Sequence, residues 1–134
     1  MIPNKIKTPE QYEQLYRLLK KYHVRHFLGI KHKNTILHPE DVKLVNITFP
    51  HECILYHEEN NKWHTTVHKK SITINITALS IHYDSRSNTT HLGFLSTNDI
   101  PYRVHPKYKC IIEYIYNNKT YTSTGIIQKE LVKH

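Results

Sequence analysis

The chain has 134 residues, of which 38% are hydrophobic and 22% charged, and its formal net charge is +8. That length suits a single domain, 1–134, with a core large enough to need neither disulfide nor metal. The composition is too apolar for a disordered chain and too polar for a membrane protein, and three glycines leave no room for a glycine-rich phosphate loop.

The first predicted element is a helix over about residues 8–23, TPEQYEQLYRLLKKYH. Thr8 is the expected N-cap, Pro9 occupies the first helical position, and Gln11 has capping-box spacing from Thr8. Tyr12, Leu15, Tyr16, Leu19 and Tyr22 recur at helical spacing and are expected to form a buried stripe. Acidic residues (Glu10, Glu13) in the first turns and basic ones (Lys20, Lys21, His23) in the last suit the helix dipole.

After Gly29 the texture changes, and a β-rich region is expected over about 42–131. VKLVNITF, CILYH, WHTTVH, SITINITALSIHY, THLGFLS, YKCIIEYIY and YTSTGIIQ are rich in β-branched and aromatic residues with period-two spacing. In ITINIT, isoleucines alternate with polar residues. The phase slips at Ala78, which predicts a bulge there and a sheet that curls. Hairpins are expected at Glu59–Asn60–Asn61 and near Asn117–Asn118–Lys119, because asparagine tolerates positive φ. NDIPYRVHP, with its two prolines, reads as an ordered loop. The expected fold is α+β: one N-terminal amphipathic helix packed on a curved antiparallel sheet or small half-open barrel of six to seven strands.

No apolar run reaches the ~18 residues of a membrane span, and MIPNKIKTPEQ lacks an apolar h-region, so neither membrane insertion nor secretion is expected. Cys53 and Cys110 are too few and too far apart for a disulfide framework, which points to a reducing, cytoplasmic setting. Abundant Ile, Asn, Lys and Tyr reflect AT-rich coding, as in a phage, plasmid or low-GC bacterial accessory gene. That bias also accounts for the four N-x-[ST] sequons beginning at Asn46, Asn75, Asn88 and Asn118.

Twelve histidines raise the question of a metal. A two-residue turn at Asn60–Asn61 sets Glu58 opposite Trp63, His57 opposite His64, Leu55 opposite Thr66 and Cys53 opposite His68. Ile54, Tyr56, Trp63, Thr65 and Val67 then share a face expected to be core, with Trp63 as its anchor. His57 and His64 are the secondary metal candidates on the other face. His64 and His68 stand about 13 Å apart along the strand and cannot share an ion. HExxH, CxxC and zinc-finger spacings are all missing, so no metal or other cofactor is expected. WHTTV resembles half of a two-histidine phosphodiesterase site, but its approximate counterpart, THLGF, has Gly93 where a hydroxyl is required. The cysteines sit in apolar strand contexts and read as small buried hydrophobes. The chain reads as a binder rather than an enzyme.

The charge is segmental: residues 1–33 carry eight Lys/Arg against two Glu, 34–67 carry two against five acids, and 68–134 carry nine against four. Basic segments flanking an acidic middle, interleaved with tyrosine, fit a polyanion binder. Single-stranded nucleic acid is favoured over duplex because no helix-turn-helix follows the first helix. The first-choice contact segment is YRVHPKYK, with Tyr102, Arg103, Lys107, Tyr108 and Lys109. Arg25, Lys31 and Lys33 come second, and Lys69 and Lys70 third. The expected role is a small basic, non-enzymatic accessory or regulatory protein binding RNA or single-stranded DNA. The alternative is a protein-interaction module that docks a partner through a sheet edge.

Overall fold

The structure is a computed structural model that describes residues 8–133, the side chains of residues 18–21 excepted. Among the described residues there is one α-helix, α1 (Pro9–Lys21), and ten strands. The strands are β1 (Tyr22–His32), β2 (Thr35–Leu37), β3 (Lys43–Phe49), β4 (Cys53–Glu59), β5 (Lys62–His68), β6 (Ile72–Asp84), β7 (Thr89–Ser96), β8 (Pro101–Val104), β9 (Ile111–Tyr116) and β10 (Lys119–Lys133). They form one sheet in the order β2-β1-β10-β9-β3-β6-β7-β8-β4-β5.

This corrects the expected fold. The chain is a large open antiparallel sheet of ten strands with one short helix, not a barrel of six or seven. Each of the seven segments read as strands overlaps a strand, although Tyr108, Lys109 and Cys110 of YKCIIEYIY precede β9, and three more strands were missed. β1 begins directly where the helix ends, so Tyr22 leaves the expected helical stripe and opens a strand. β2 is only three residues long. β8 hides behind Pro101, but a proline at the first strand residue costs little in the ladder. Residues 101–104 are therefore strand rather than loop.

The contacts divide the chain into two compact units: the N-terminal segment through Arg25 with the C-terminal segment from Lys129, and His26–Gln128. In the first, the capping box forms as the sequence requires. Gln11 N–H donates to Thr8 Oγ1 and Thr8 N–H donates to Gln11 Oε1, each at 3.2 Å. Arg17 pairs with Glu13 at 2.7 Å, one helical turn away. The expected buried stripe does not form at its tyrosines: Tyr12 is 63% and Tyr16 60% exposed. The side chain of Leu19 lies outside the description. Helical periodicity marks the face a helix could bury, not whether anything covers it.

In the second unit, alternate residues of the strands supply the core: Leu28 and Ile30, Ile47 and Phe49, Cys53 and Leu55, Leu92 and Phe94, Ile112 and Tyr114, with Ile76, Val104 and Cys110. β6 serves two neighbours, pairing with β3 through residues 72–75 and with β7 beyond. Between Ile76 and Ala78 its register shifts, the bulge expected from the phase slip. That extra residue lets Ile76 and then Leu79 and Ile81 keep to the core side. Phe49 and Phe94, on strands flanking β6, meet at 5.9 Å between ring centroids. Their partners on β6, Ile72 and Leu79, are seven residues apart, about 23 Å along an extended strand, so β6 bends to bring the two rings together.

Both asparagine hairpins form. Asn60 and Asn61 have φ of 53° and 62°, and Asn117 and Asn118 have 51° and 64°, as a two-residue type I′ turn requires. The first turn fixes the β4–β5 register, and the pairs Cys53–His68, His57–His64 and Glu58–Trp63 are those the sequence predicts. At the other hairpin end of the unit, His32 Nδ1 lies 2.8 Å from the buried Tyr114 hydroxyl and meets Tyr114, Tyr116 and Tyr121 edge-on.

Candidate nucleic-acid interface

The β4–β5 register is as expected, but its faces are inverted. Cys53 and Leu55 are each 1% exposed, so their side of β4, which carries His57, is the core side. Trp63 is 43%, Tyr56 42% and Val67 48% exposed, so the face expected to be core looks outward. The physical reason is that a period-two pattern gives two faces, and CILYH has apolar residues on both. The inward face was chosen by the neighbouring strand: β8 sets Val104, itself buried, opposite Leu55.

The core-side face carries a ladder of rings across four strands. Phe94 on β7 stacks on Tyr102 of β8 at 4.9 Å, nearly parallel at 2°. Tyr102 leans on His57 of β4 at 5.8 Å, and His57 stacks on His64 of β5 at 5.3 Å. Tyr102 is therefore a half-buried packing residue. His57 and His64 do face each other, and His57 Nε2 lies 3.5 Å from Glu59 Oε2. Among the described residues no group of three or more His, Cys, Asp or Glu could hold a metal ion. The phosphodiesterase resemblance does not assemble either. His91 is three residues from Phe94 along β7 and so projects to the opposite face from His64.

The outward face of the same strands gathers the chemistry. Register places Glu58 opposite Trp63 on β4–β5, Tyr56 opposite Arg103 on β4–β8, Gly93 opposite Arg103 on β7–β8, and Ser80 and His82 opposite Gly93 and His91 on β6–β7. Arg103 lays its guanidinium carbon 4.5 Å above the Trp63 ring, a cation–π contact on an exposed surface. This pair contributes to the walls of two hollows. One, of about 240 Å³, is lined by Glu58, Ser80, His82, Gly93 and Pro101 beside the pair. The other, of about 310 Å³, is lined by Tyr56, His91 and His105 beside the same pair.

Gly93 keeps the first hollow open. A Cβ there would stand 3.1 Å from Ser80 Oγ and 3.3 Å from the His82 ring. Ser80 Oγ and His82 Nε2 are themselves in hydrogen-bond contact at 3.0 Å. The glycine that spoiled THLGF as a catalytic half-site thus supplies the floor of a polar recess.

The other residues singled out from the sequence are spread over the molecule. Lys107 lies over the Tyr108 ring at 5.2 Å, and Tyr108 packs against the core. Lys107, Tyr108 and Lys109 rim a separate cleft of about 310 Å³ with Ile126 and Ile127. Lys31 and the turn residue Lys33 sit at the β1–β2 end of the strand order, and Lys69 and Lys70 follow β5 at its other end. Lys69 pairs with Glu52 at 3.1 Å, and Arg25, in the other unit, pairs with Glu130 at 3.3 Å. Of the residues expected to bind, only Arg103 stands on the aromatic outward face. Tyr56, Glu58, Trp63, His82, His91 and His105 were missed. The signal that could have found them was the same alternation, read with the opposite face inward.

Burial pushes the thiols of Cys53 and Cys110 above their ordinary value, with a backbone hydrogen bond from Gly125 partly opposing this at Cys110. Both are free and buried, which leaves them as neutral packing groups rather than nucleophiles. Among the described residues no helix is long and apolar enough to cross a membrane. Comparison with protein-family models, curated proteins and solved structures returns no match.

Proposed function

We propose that the chain is a non-enzymatic cytoplasmic accessory protein that binds RNA or single-stranded DNA on the outward face of β4, β5, β7 and β8. The observation that carries this reading is the exposed group of Trp63, Tyr56 and Arg103, with the Trp63–Arg103 pair lining two hollows large enough for a base. Aromatic rings and guanidinium planes stack bases whatever their sequence, and a sheet presents them to an unpaired strand. A duplex keeps its bases stacked on one another and offers this face nothing to stack. The net charge of +8 supplies the long-range attraction.

The test is fluorescence anisotropy of a labelled 12-nucleotide RNA, the matching single-stranded DNA and its duplex, at 50 and 200 mM salt. Single strands are expected to bind better than the duplex. If Arg103 neutralises one phosphate, affinity for single strands falls about 2.6-fold over that range. No binding, or binding indifferent to salt, refutes the proposal.

A second reading is favoured by the position of β5, which ends the strand order with six of its seven residues exposed. An edge strand can accept a strand from a protein partner. Such docking rests on backbone hydrogen bonds, so it would be insensitive to nucleic acid and only weakly sensitive to salt.

A further inference from the structure

The deeper question is whether this face tells bases apart, and the hollow of about 240 Å³ carries an answer that rests on the reading just given. Glu58 and Trp63 are direct cross-strand partners, so their side chains leave the sheet side by side on one face. The Glu58 carboxylate therefore stands at the rim of the indole, where the edge of a stacked base would lie. No hydrogen bond or ion pair of Glu58 occurs among the described residues. A base entering the hollow meets a π-face of the Trp63–Arg103 pair, indole or guanidinium, and both stack bases.

An ionised carboxylate only accepts hydrogen bonds, and it does so best from two parallel donors. The Watson–Crick edges of the four bases differ on this point. Guanine alone presents two adjacent donors, N1–H and the N2 amino group. Adenine and cytosine present one amino group beside a ring nitrogen that repels a carboxylate. Uracil and thymine present one N–H between two carbonyl oxygens. At the floor, His82 Nε2–H can donate to Ser80 Oγ, which leaves the Ser80 hydroxyl proton for guanine O6, and Gly93 leaves room for the base to reach it.

We infer that this hollow is a guanine-selective subsite, with Glu58 reading the N1–H and N2 amino group of a base stacked on the Trp63–Arg103 pair. The face then binds single strands in general and guanine-containing strands preferentially.

The experiment measures anisotropy of labelled oligouridine heptamers carrying one central guanine, inosine or adenine, with the full chain and with Glu58→Gln. Inosine removes only the N2 amino group. The guanine strand is expected to bind at least about fivefold more tightly than the inosine and adenine strands, the lower end for a bidentate base contact. Glu58→Gln should bring the three within twofold of one another. Equal binding of all three strands by the unsubstituted chain overturns the guanine inference and leaves general single-strand binding standing. A preference that survives Glu58→Gln overturns the assignment to this carboxylate. Failure of every strand to bind overturns both readings.

Discussion

Trp63→Ala separates the outward-face account from the core-anchor expectation, because the two give different values for stability and for binding. Trp63 is 43% exposed, against 0% for Phe49. Truncating a fully buried aromatic costs about 3–5 kcal/mol, so a ring with little more than half its surface covered should cost about 2 kcal/mol. Part of that is the Arg103 contact, worth about 0.5–1 kcal/mol at an exposed site. Loss of one stacked base costs about 1–3 kcal/mol of binding, a drop of about 5- to 150-fold in affinity. Urea unfolding followed by far-ultraviolet circular dichroism gives the stability, and anisotropy of a labelled single strand gives the affinity. Phe49→Ala is the control: it should cost about 3–5 kcal/mol of stability, and its folded fraction should bind normally. If Trp63→Ala costs as much stability as Phe49→Ala and leaves affinity unchanged, the outward assignment of Trp63 is wrong.

Three further outcomes test the fold. Thr8→Ala removes the capping-box acceptor and should destabilise α1 by about 1 kcal/mol, read as faster amide exchange in its first turns with the sheet amides unchanged. Tyr114→Phe leaves His32 Nδ1 without its 2.8 Å partner and should lower stability by about 1 kcal/mol in urea unfolding. Burial raises the Cys53, Cys110 and Tyr114 groups, the last helped by the nearby Tyr121. The folded chain therefore holds protons that the unfolded chain releases as pH rises past the ordinary thiol value, so this stabilisation is complete at neutral pH and is lost in the alkaline range. Urea midpoints should fall between about pH 8.5 and 10.5, with a shallower fall in the Cys53→Ala/Cys110→Ala double variant. A midpoint flat across that range contradicts the sign.

The parts of the fold legible in the sequence were those governed by local chemistry. Thr8 and Gln11 announced the helix start, Asn60–Asn61 and Asn117–Asn118 announced tight hairpins, and the slip at Ala78 announced the bulge. The turn at Asn60–Asn61 even set the β4–β5 register residue by residue. What local chemistry does not contain is which side of a hairpin a third strand will cover. Val104 decided that for Leu55, and Val104 lay in a segment whose prolines read as loop. The inverted face then carried Trp63, Tyr56 and Val67 from the core to the surface, and the candidate site went with them. The strand β1 was hidden differently: its first residues continue a helical spacing, and only Leu28 and Ile30, buried on either side of Gly29, show period two. Arg103 was found because charge beside aromatics is visible in one dimension. Its partner Trp63 was forty residues away and visible only in three.

Trp63 is the sole tryptophan, so its own emission reports on the proposed surface. The most direct measurement is a titration of the full chain with a guanine-containing single-stranded RNA at low salt, following Trp63 fluorescence and RNA anisotropy together. The account requires saturable quenching whose midpoint matches the anisotropy midpoint, and recovery of emission when salt is added. Binding that leaves Trp63 emission untouched, or the absence of binding, would contradict it.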